Sequence, residues 1–255
     1  MYNIDSLPKD ILIEIAIELD LPDIVKWCSI NKRINSLTGQ NETFWMCKFI
    51  HDYGNYSKNS DLTWKEFYKL VTITKPNDLL WKGVKENVLS YVVVALKRGA
   101  DIEHEKQIRF YIYNPLSLAS TNGHLKVVKY LVKQGANVRT KDDSALGLAS
   151  ENGHLEVLKY LVEHGADVRA NNDLPLRLAS ENGHLEVLKY LVEHGAIVRS
   201  ENDYALRSSS AYGHLEVVKY LVGRGADVHA ENDSALRLAK YYEHFGVVDY
   251  LKSLP

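Results

Sequence analysis

Hydrophobic and polar positions recur with a fixed period over the C-terminal part of the chain. The segment LASENGHLEVLKYLVEHGA occupies residues 148–166 and is repeated letter for letter at 178–196. A histidine returns every 30 residues, at His124, His154, His184, His214 and His244. A glycine precedes each of these histidines except the last. A period of this size indicates one supersecondary unit stacked on copies of itself, an architecture that offers a binding surface.

Each repeat contains two groups of apolar positions at helical spacing. In the repeat that covers residues 141–170, we expect a short inner helix followed by a longer outer helix. Their apolar positions are Ala145, Leu146, Leu148 and Ala149, and then, after Asn152-Gly153, Leu155, Leu158, Leu161 and Val162. A glycine stands where a left-handed residue ends the outer helix, at Gly135, Gly165, Gly195 and Gly225. One helix pair cannot cover its own apolar face, so neighbouring pairs must stack.

The repeated segment resembles the ankyrin repeat. The resemblance is strongest at 114–138, NPLSLASTNGHLKVVKYLVKQGANV, and covers about 111–251. It extends more weakly to 78–102, which aligns on Gly99-Ala100-Asp101. The resemblance implies an all-α, ankyrin-type helical solenoid of about six short repeats over residues 77–255. The first, divergent repeat covers 77–110, and the second to sixth cover 111–140, 141–170, 171–200, 201–230 and 231–255.

Two features depart from the ankyrin pattern. The period is 30 residues rather than about 33, and the missing residues fall in the finger between one outer helix and the next inner helix. We therefore expect short fingers or tight turns, with a longer connection after the first repeat. The histidine of the Thr-Pro-Leu-His motif is replaced by Ser117, Gly147, Arg177, Arg207 and Arg237. Short, nearly identical units of this kind are similar to those of ankyrin proteins of large DNA viruses.

Positions that vary between repeats are candidates for binding. The residue before each inner helix is Asn114, Ser144, Leu174, Tyr204 or Ser234. Asn and Ser are good N-caps, each worth about 1 kcal/mol, whereas Leu174 and Tyr204 are not, although Asp173 and Asp203 could act as caps one residue earlier. A second variable pair ends the inner helix: Thr121-Asn122, Glu151-Asn152, Glu181-Asn182, Ala211-Tyr212 and Tyr241-Tyr242. The resemblance implies that both positions line a concave face that binds a protein target.

The candidate groove residues are Asn122, Asn152, Leu174, Asn182, Tyr204, Tyr212, Tyr241 and Tyr242. Tyrosine is a frequent hot-spot residue because it buries much area at low entropic cost. The four tyrosines therefore mark the C-terminal half of the groove. An alternative is that they fill a packing defect, since Ser208 replaces a leucine of the other repeats. A change of that kind in a core costs about 2–5 kcal/mol.

Residues 1–50 do not follow the repeat. Their sequence, LPKDILIEIAIELDLPDIVKWCSINKRINSL followed by Phe44-Trp45, resembles the F-box pattern. In that family these helices dock on the Skp1 adaptor of a cullin ubiquitin ligase. The matching adaptor-binding positions are Leu7, Pro8, Ile11, Leu12, Ile15, Ile24, Val25 and Ile30. The alternative is a helical cap on the repeats.

Residues 51–76 are expected to form a linker that contains an amphipathic helix. DLTWKEFYKLV at 61–71 is similar to a W-K-x-x-Y segment that often follows F-boxes, and an ordinary linker helix has the same pattern. These patterns are compatible with two functions. One is a substrate receptor for a Skp1–cullin ubiquitin ligase, and the other is an ankyrin scaffold or masking inhibitor without a ligase role.

Composition and motifs argue against other classes of function. Lys and Arg number 31 against 33 Asp and Glu, a net charge of −2, so no overall field favours nucleic acid or a membrane. The arginines at 177, 207 and 237 could form a stripe, which Asp173, Asp203 and Asp233 are expected to balance. We find no nucleotide-binding, hydrolase or metalloprotease motif. We therefore expect no enzyme activity, no catalytic residue and no cofactor.

The recurring histidines do not predict a metal site. Neighbouring repeats lie about 8–10 Å apart, whereas zinc holds its imidazoles at about 2.0–2.1 Å. Structural hydrogen bonds are the expected role of these side chains. The sequence has no signal peptide or apolar run of membrane-spanning length, and Cys28 and Cys47 read as buried thiols. We expect an intracellular, cytoplasmic monomer, in the host cytoplasm if the protein is viral.

Overall fold

The computed structural model describes residues 42–54, 62–109 and 111–254. Fourteen helices and one β-hairpin form this described part of the chain, which confirms the predicted all-α helical class. The chain divides into two compact units, Met1–Asp101 and Ile102–Pro255. Within the described ranges, no helix is long and apolar enough to cross a membrane. The predicted domain boundaries at residues 50 and 76 stay a prediction.

Aromatic side chains form the core of the first unit. Its described helices are α1 (Glu42–Tyr53), α2 (Trp64–Ile73), α3 (Pro76–Glu86) and α4 (Leu89–Lys97). The ring centroid of Phe49 lies 5.6 Å from that of Trp64 and 5.1 Å from that of Phe67. Phe67 stacks on Tyr91 at 5.5 Å, so α1, α2 and α4 share one buried cluster. Cys47, which we expected to be buried, is partly exposed in α1.

The amphipathic helix predicted within residues 61–71 is confirmed as α2. Thr63 and Glu66 form a capping box, in which each side chain accepts the backbone N–H of the other residue. At the opposite end, Nη1 of Arg98 donates to the carbonyl oxygens of Val71 and Thr74, both at 2.6 Å. Both ends of α2 are therefore fixed by side chains.

Helices α3 and α4 have the order expected for a divergent first repeat. Asn87 joins them in the left-handed conformation at φ 58°. Gly99 follows α4 at φ 81°, and the N–H of Ala100 reaches the carbonyl oxygen of Ala95 at 2.9 Å. This bond is the one expected where a helix ends in a left-handed glycine.

The second unit begins with a hairpin and continues as five helix pairs. Its elements are β1 (Lys106–Ile108), β2 (Tyr111–Tyr113), α5 (Pro115–Thr121), α6 (Leu125–Lys133), α7 (Thr140–Glu151), α8 (Leu155–Glu163), α9 (Ala170–Glu181), α10 (Leu185–Glu193), α11 (Ser200–Ala211), α12 (Leu215–Gly223), α13 (Ala230–Tyr241) and α14 (Phe245–Lys252). The odd-numbered helices are the inner helices, and each packs on the inner helix of the next repeat. The outer helices pack on one another in the same way. This arrangement confirms the predicted solenoid.

Both predicted apolar stripes contribute to the core. In the third repeat the buried side chains include Ala145, Leu146, Ala149, Val157, Leu158 and Leu161. Leu148, Leu155 and Val162 are only partly buried. Each outer helix ends as predicted: Gly135 has φ 98°, and the N–H of Ala136 reaches the carbonyl oxygen of Leu131 at 3.0 Å.

The recurring histidines link neighbouring repeats, which confirms their predicted structural role. Nε2 of His184 donates to the carbonyl oxygen of Glu151, one repeat earlier, at 2.9 Å. Equivalent bonds of 2.9 Å join His154 to Thr121, His214 to Glu181, and His244 to Ala211. The preceding glycines make room for this contact, since a Cβ at Gly153 would lie 2.6 Å from the His184 ring.

The short fingers are tight left-handed turns, as the reduced period predicts. Lys141, Asp142 and Asp143 all have φ between 51° and 60°. The expectation that Asp173 and Asp203 act as N-caps was wrong. In each finger this aspartate bonds to the following finger instead: Oδ1 of Asp143 accepts the backbone N–H of Asp167 at 3.0 Å. The equivalent bonds join Asp173 to Ile197 at 2.8 Å and Asp203 to Asp227 at 2.9 Å. These three carboxylates are buried, and they fix each finger to the following one.

The connection after the first repeat is longer, as predicted, and holds the antiparallel hairpin β1–β2. In this connection Glu103 replaces the finger aspartate, and its Oε1 accepts the N–H of Asn137 at 2.8 Å. Asn114 then caps α5 by accepting the N–H of Ser117 at 2.8 Å, as predicted. The same prediction was wrong for Ser144, whose hydroxyl donates to the carbonyl oxygen of Thr140. The left-handed turn before Ser144 leaves it inside a continuing turn rather than at a free helix end.

We expect Gly183→Ala to destabilise the array and Gly223→Ala to stabilise it slightly. Gly183 has φ +75° and a Cβ there would lie 2.6 Å from His214, whereas Gly223 ends α12 with open space around it. The first change introduces strain of about 1–3 kcal/mol, and the second improves helix propensity by up to about 1 kcal/mol. Urea unfolding followed by circular dichroism tests this, and equal midpoints for the two variants would contradict it.

A second pair of variants isolates the bond between fingers. Asp203 and Asp233 share a φ of 57°, but Asp203 is buried against the next finger and Asp233 is exposed. We expect Asp203→Ala to lower the free energy of unfolding by about 1–3 kcal/mol more than Asp233→Ala, because it leaves the part-buried N–H of Asp227 without its acceptor. The backbone cost is common to both variants. Identical losses in urea unfolding would show that the bond between fingers contributes nothing.

Candidate functional site

Two of the predicted groove tyrosines line the same pocket. Tyr212 and Tyr242 line it together with Ala211, Leu238 and His244, and its volume is about 380 Å³. The two side chains are 56% and 54% exposed, respectively. They come from the ends of α11 and α13, so the pocket lies between the fifth and sixth repeats.

The helix ends position these tyrosines without a change of backbone. Tyr212 has φ −100° and ψ 3°, close to the φ −96° and ψ 2° of Asn182 one repeat earlier. Nδ2 of Asn182 donates to the carbonyl oxygen of Leu178 at 3.0 Å. Asn122 and Asn152 make the same local bond with 2.9 Å distances. The three asparagines predicted for the groove therefore cap their own helices, whereas Tyr212 and Tyr242 present rings at the same position.

The pocket combines an apolar floor with aromatic walls. Leu238 and Ala211 contribute aliphatic surface, and the Nε2–H of His244 is engaged by the carbonyl oxygen of Ala211. Tyr241, which is 79% exposed, packs edge-on against Tyr242 with ring centroids 4.9 Å apart. A pocket with these walls suits the side chain of an aliphatic or aromatic residue. Leu238 and His244 were not predicted as groove residues, because the residues at the equivalent positions of the other repeats are nearly always the same.

Tyr204 lies at the other end of α11 and is held by charged side chains. Its ring lies 5.4 Å from the guanidinium of Arg177 and 5.6 Å from that of Arg207. Its hydroxyl donates to Oε2 of Glu181 at 3.4 Å. Burial, followed by the nearby Glu181 carboxylate, raises the pKa of Tyr204 above its usual value, so the phenol stays protonated at neutral pH. Leu174, at the position equivalent to Tyr204 one repeat earlier, is partly exposed.

The exposure of the tyrosines favours partner contact over repair of a packing defect. Ser208 is 6% exposed, and its hydroxyl donates to the carbonyl oxygen of Ala205 at 3.3 Å. Tyr212, Tyr241 and Tyr242 all leave more than half of their area in solvent. Side chains that filled the space beside Ser208 would be buried. We call Tyr204, Tyr212, Tyr241 and Tyr242 the tyrosine groove.

Three arginines at equivalent positions of successive inner helices support the fingers. Nη2 of Arg177, Arg207 and Arg237 donates to the carbonyl oxygens of Asn171, Glu201 and Glu231, respectively, at 3.0–3.1 Å. Asp173 and Asp203 accept backbone N–H groups of the following finger, and Asp233 pairs with His229 at 2.6 Å. The expected balance of the arginine charges by these aspartates stays a prediction.

The remaining site predictions concern other parts of the chain. The eight adaptor-binding positions, Leu7, Pro8, Ile11, Leu12, Ile15, Ile24, Val25 and Ile30, lie outside the described residues. Among the residues that the structure describes, no group of His, Cys, Asp and Glu side chains is arranged to hold a metal ion.

Comparison with known proteins agrees with the stacked helix pairs. A family model described as ankyrin repeats, in three copies, matches residues 80–172 and 169–232. The search of curated proteins finds no match. The matched segments cover more than half of the 255 residues and include part of the divergent first repeat. The chain therefore belongs to the ankyrin repeat family.

Proposed function

We propose that this protein is a receptor that holds a target protein in the tyrosine groove and delivers it to a ubiquitin ligase through residues 1–50. The ankyrin repeats make the chain a protein–protein interaction module. The observation that carries the proposal is the exposed pair Tyr212 and Tyr242, which line one pocket. Tyrosines that lose solvent when a partner binds are frequent interaction hot spots.

Rigidity of the array supports this use of the groove. The histidine bonds hold each repeat on the next, and the finger aspartates hold each finger on the next, so the backbone positions that carry the rings of the fifth and sixth repeats keep a set separation. A preorganised surface loses little conformational entropy when a partner binds. The captured protein is expected on the concave face, with the chain acting as a monomer in the cytoplasm.

The ligase part of the proposal rests on the F-box-like pattern of residues 1–50. Trp45, the last residue of that pattern, is buried in α1, with its ring 5.1 Å from Phe44 and 5.4 Å from Tyr68. Helix α2, which carries the W-K-x-x-Y segment, directly follows in the chain. In this mechanism the protein supplies no chemistry of its own. It raises the effective concentration of the target near the transferase.

We expect purified Skp1 to bind the full chain and not the variant Leu7→Ala/Pro8→Ala. Both residues match the positions that an F-box presents to the adaptor. The matched control is Tyr212→Ala/Tyr242→Ala in the full chain, which should bind Skp1 as the unmodified protein does. A pull-down with measured input and bound fractions tests this. Absence of Skp1 binding by the unmodified chain would remove the ligase role and leave a scaffold or masking inhibitor.

A separate prediction concerns the target. We expect Tyr212→Ala to weaken target binding by roughly 30-fold, the loss typical of a hot-spot residue, with little change in melting temperature because the side chain is 56% exposed. Lys133→Ala, on the exposed surface of the outer helix α6, is the control and should leave binding intact.

Quantitative mass spectrometry of captured proteins would first identify those that depend on Tyr212. Calorimetric titration with each purified candidate would then give the affinities of the three chains. A lower melting temperature with unchanged affinity would assign the tyrosines to packing and contradict the proposal.

A further inference from the structure

Carboxylates lie at the ends of the inner helices next to the tyrosine groove. The last residue of the inner helix is Glu151 in the third repeat and Glu181 in the fourth, whereas it is Ala211 in the fifth. Glu181 reaches the groove itself, because its Oε2 accepts the hydroxyl proton of Tyr204 at 3.4 Å. After burial and Glu181, the nearby Tyr212 also adds to the rise in the pKa of Tyr204. One edge of the groove therefore carries a carboxylate.

Neither of the two carboxylates forms an ion pair with a cationic side chain of the described residues. Arg177 lies four residues before Glu181 on α9, but its Nη2 donates to the carbonyl oxygen of Asn171 at the finger, at 3.0 Å. At the same spacing before Glu151 the third repeat has Gly147. Both carboxylates are partly exposed, so a partner can reach them.

The cationic side chains of α11 and α13 lie away from the pocket. Arg207 and Arg237 donate to finger carbonyl groups at the opposite end of these helices. Lys240 occupies the position of Ser210, which is buried where another repeat follows, so Lys240 is on the side of α13 turned away from the fifth repeat. On that side the exposed Glu243 replaces the glycine that faces the next histidine in the other repeats. The pocket itself therefore has no positive surface from α11 or α13.

An aromatic pocket and two carboxylates without a described cationic partner thus lie along the same helix ends. From this juxtaposition we infer that the occupant of the tyrosine groove is a basic protein segment. One of its aliphatic side chains enters the pocket lined by Tyr212 and Tyr242, and a neighbouring arginine or lysine faces Glu181. Hydrogen bonds between charged groups of this kind are stronger than those between neutral groups. The inference rests on the proposed function and names the class of target.

The spacing of the repeats sets the spacing within that segment. Glu151 and Glu181 are at equivalent positions of neighbouring repeats, and Tyr212 lies one repeat further along. Packed helices are about 8–10 Å apart, and an extended chain advances about 3.3 Å per residue. Basic side chains are therefore expected about three and about six residues from the aliphatic anchor. Glutamates at those positions would place like charges together and weaken binding.

Fluorescence anisotropy with three labelled synthetic peptides tests the inference on the full chain. The first peptide carries a central leucine with arginines three and six positions to each side, so that it can bind in either direction. The second replaces the arginines by glutamates, and the third replaces the leucine by serine. We expect the first peptide to bind about tenfold more tightly than either of the others, and its affinity to fall as salt is added.

Charge variants of the protein separate a local effect from the overall field. Glu151→Gln/Glu181→Gln removes both charges but keeps an acceptor for the Tyr204 hydroxyl, and it should abolish the preference for arginine over glutamate. Glu163→Gln/Glu193→Gln makes the same change in net charge at the exposed last residues of the outer helices of the same two repeats. This matched control should keep the preference. Glu151→Lys/Glu181→Lys should reverse it.

The outcomes are distinguishable from failure of the proposed function. Equal binding of the arginine and glutamate peptides, no binding of the arginine peptide, or equal preferences in the two glutamine variants would overturn the basic-segment inference. A serine peptide that bound as tightly as the leucine peptide would also overturn it, because the pocket would then contribute nothing. The groove would still stand as a target site if the dependence on Tyr212 were found with a natural protein.

Discussion

The hydrogen bonds that cross from one repeat to the next are the constraint on which the second unit depends. One helix pair exposes an apolar face, so stacking is required, but apolar contact alone does not set the distance or register of the stack. The Nε2–H of each histidine bonds to the carbonyl oxygen at the end of the preceding inner helix, as His184 does to Glu151 at 2.9 Å. At the finger, Asp173 accepts the N–H of Ile197, which lies in the following finger, at 2.8 Å. The histidine bonds therefore hold each repeat on its neighbour, and the aspartate bonds hold each finger on the next one.

Because these bonds hold the stack, the residues at other positions of the repeat can differ from one repeat to the next. The residue at the end of the inner helix is Asn182 in the fourth repeat and Tyr212 in the fifth, with nearly the same backbone angles. The asparagine side chain caps its own helix with a local hydrogen bond that the tyrosine does not make, and the loss of one such bond costs about 0.5–1.5 kcal/mol. In return the chain presents an exposed ring at a fixed place. Binding specificity can therefore be introduced in this family by single substitutions that leave the stack unchanged.

Local patterns predicted the helices but not the partners of polar side chains. The spacing of apolar residues and the glycines such as Gly135 were sufficient for the solenoid, because both act within one helix pair. The role of Asp173 was missed because its partner, the N–H of Ile197, lies 24 residues away. An N-cap was the natural local interpretation, and the left-handed turn made it wrong. The pocket likewise joins Tyr212 and Tyr242 from different repeats, so the sequence indicated its residues but not its walls.

At the boundary between the fifth and sixth repeats, the same residues line the pocket and hold the two repeats together. Ala211 and His244 both line the pocket, and they are also the two partners of the inter-repeat bond at this boundary. The separation of Tyr212 and Tyr242 is therefore set by the same bond that holds the sixth repeat on the fifth. Under the proposed function, a target side chain that fits this separation would bind the stacked form and not a form in which the sixth repeat has detached. By mass action, such binding would stabilise the end of the array.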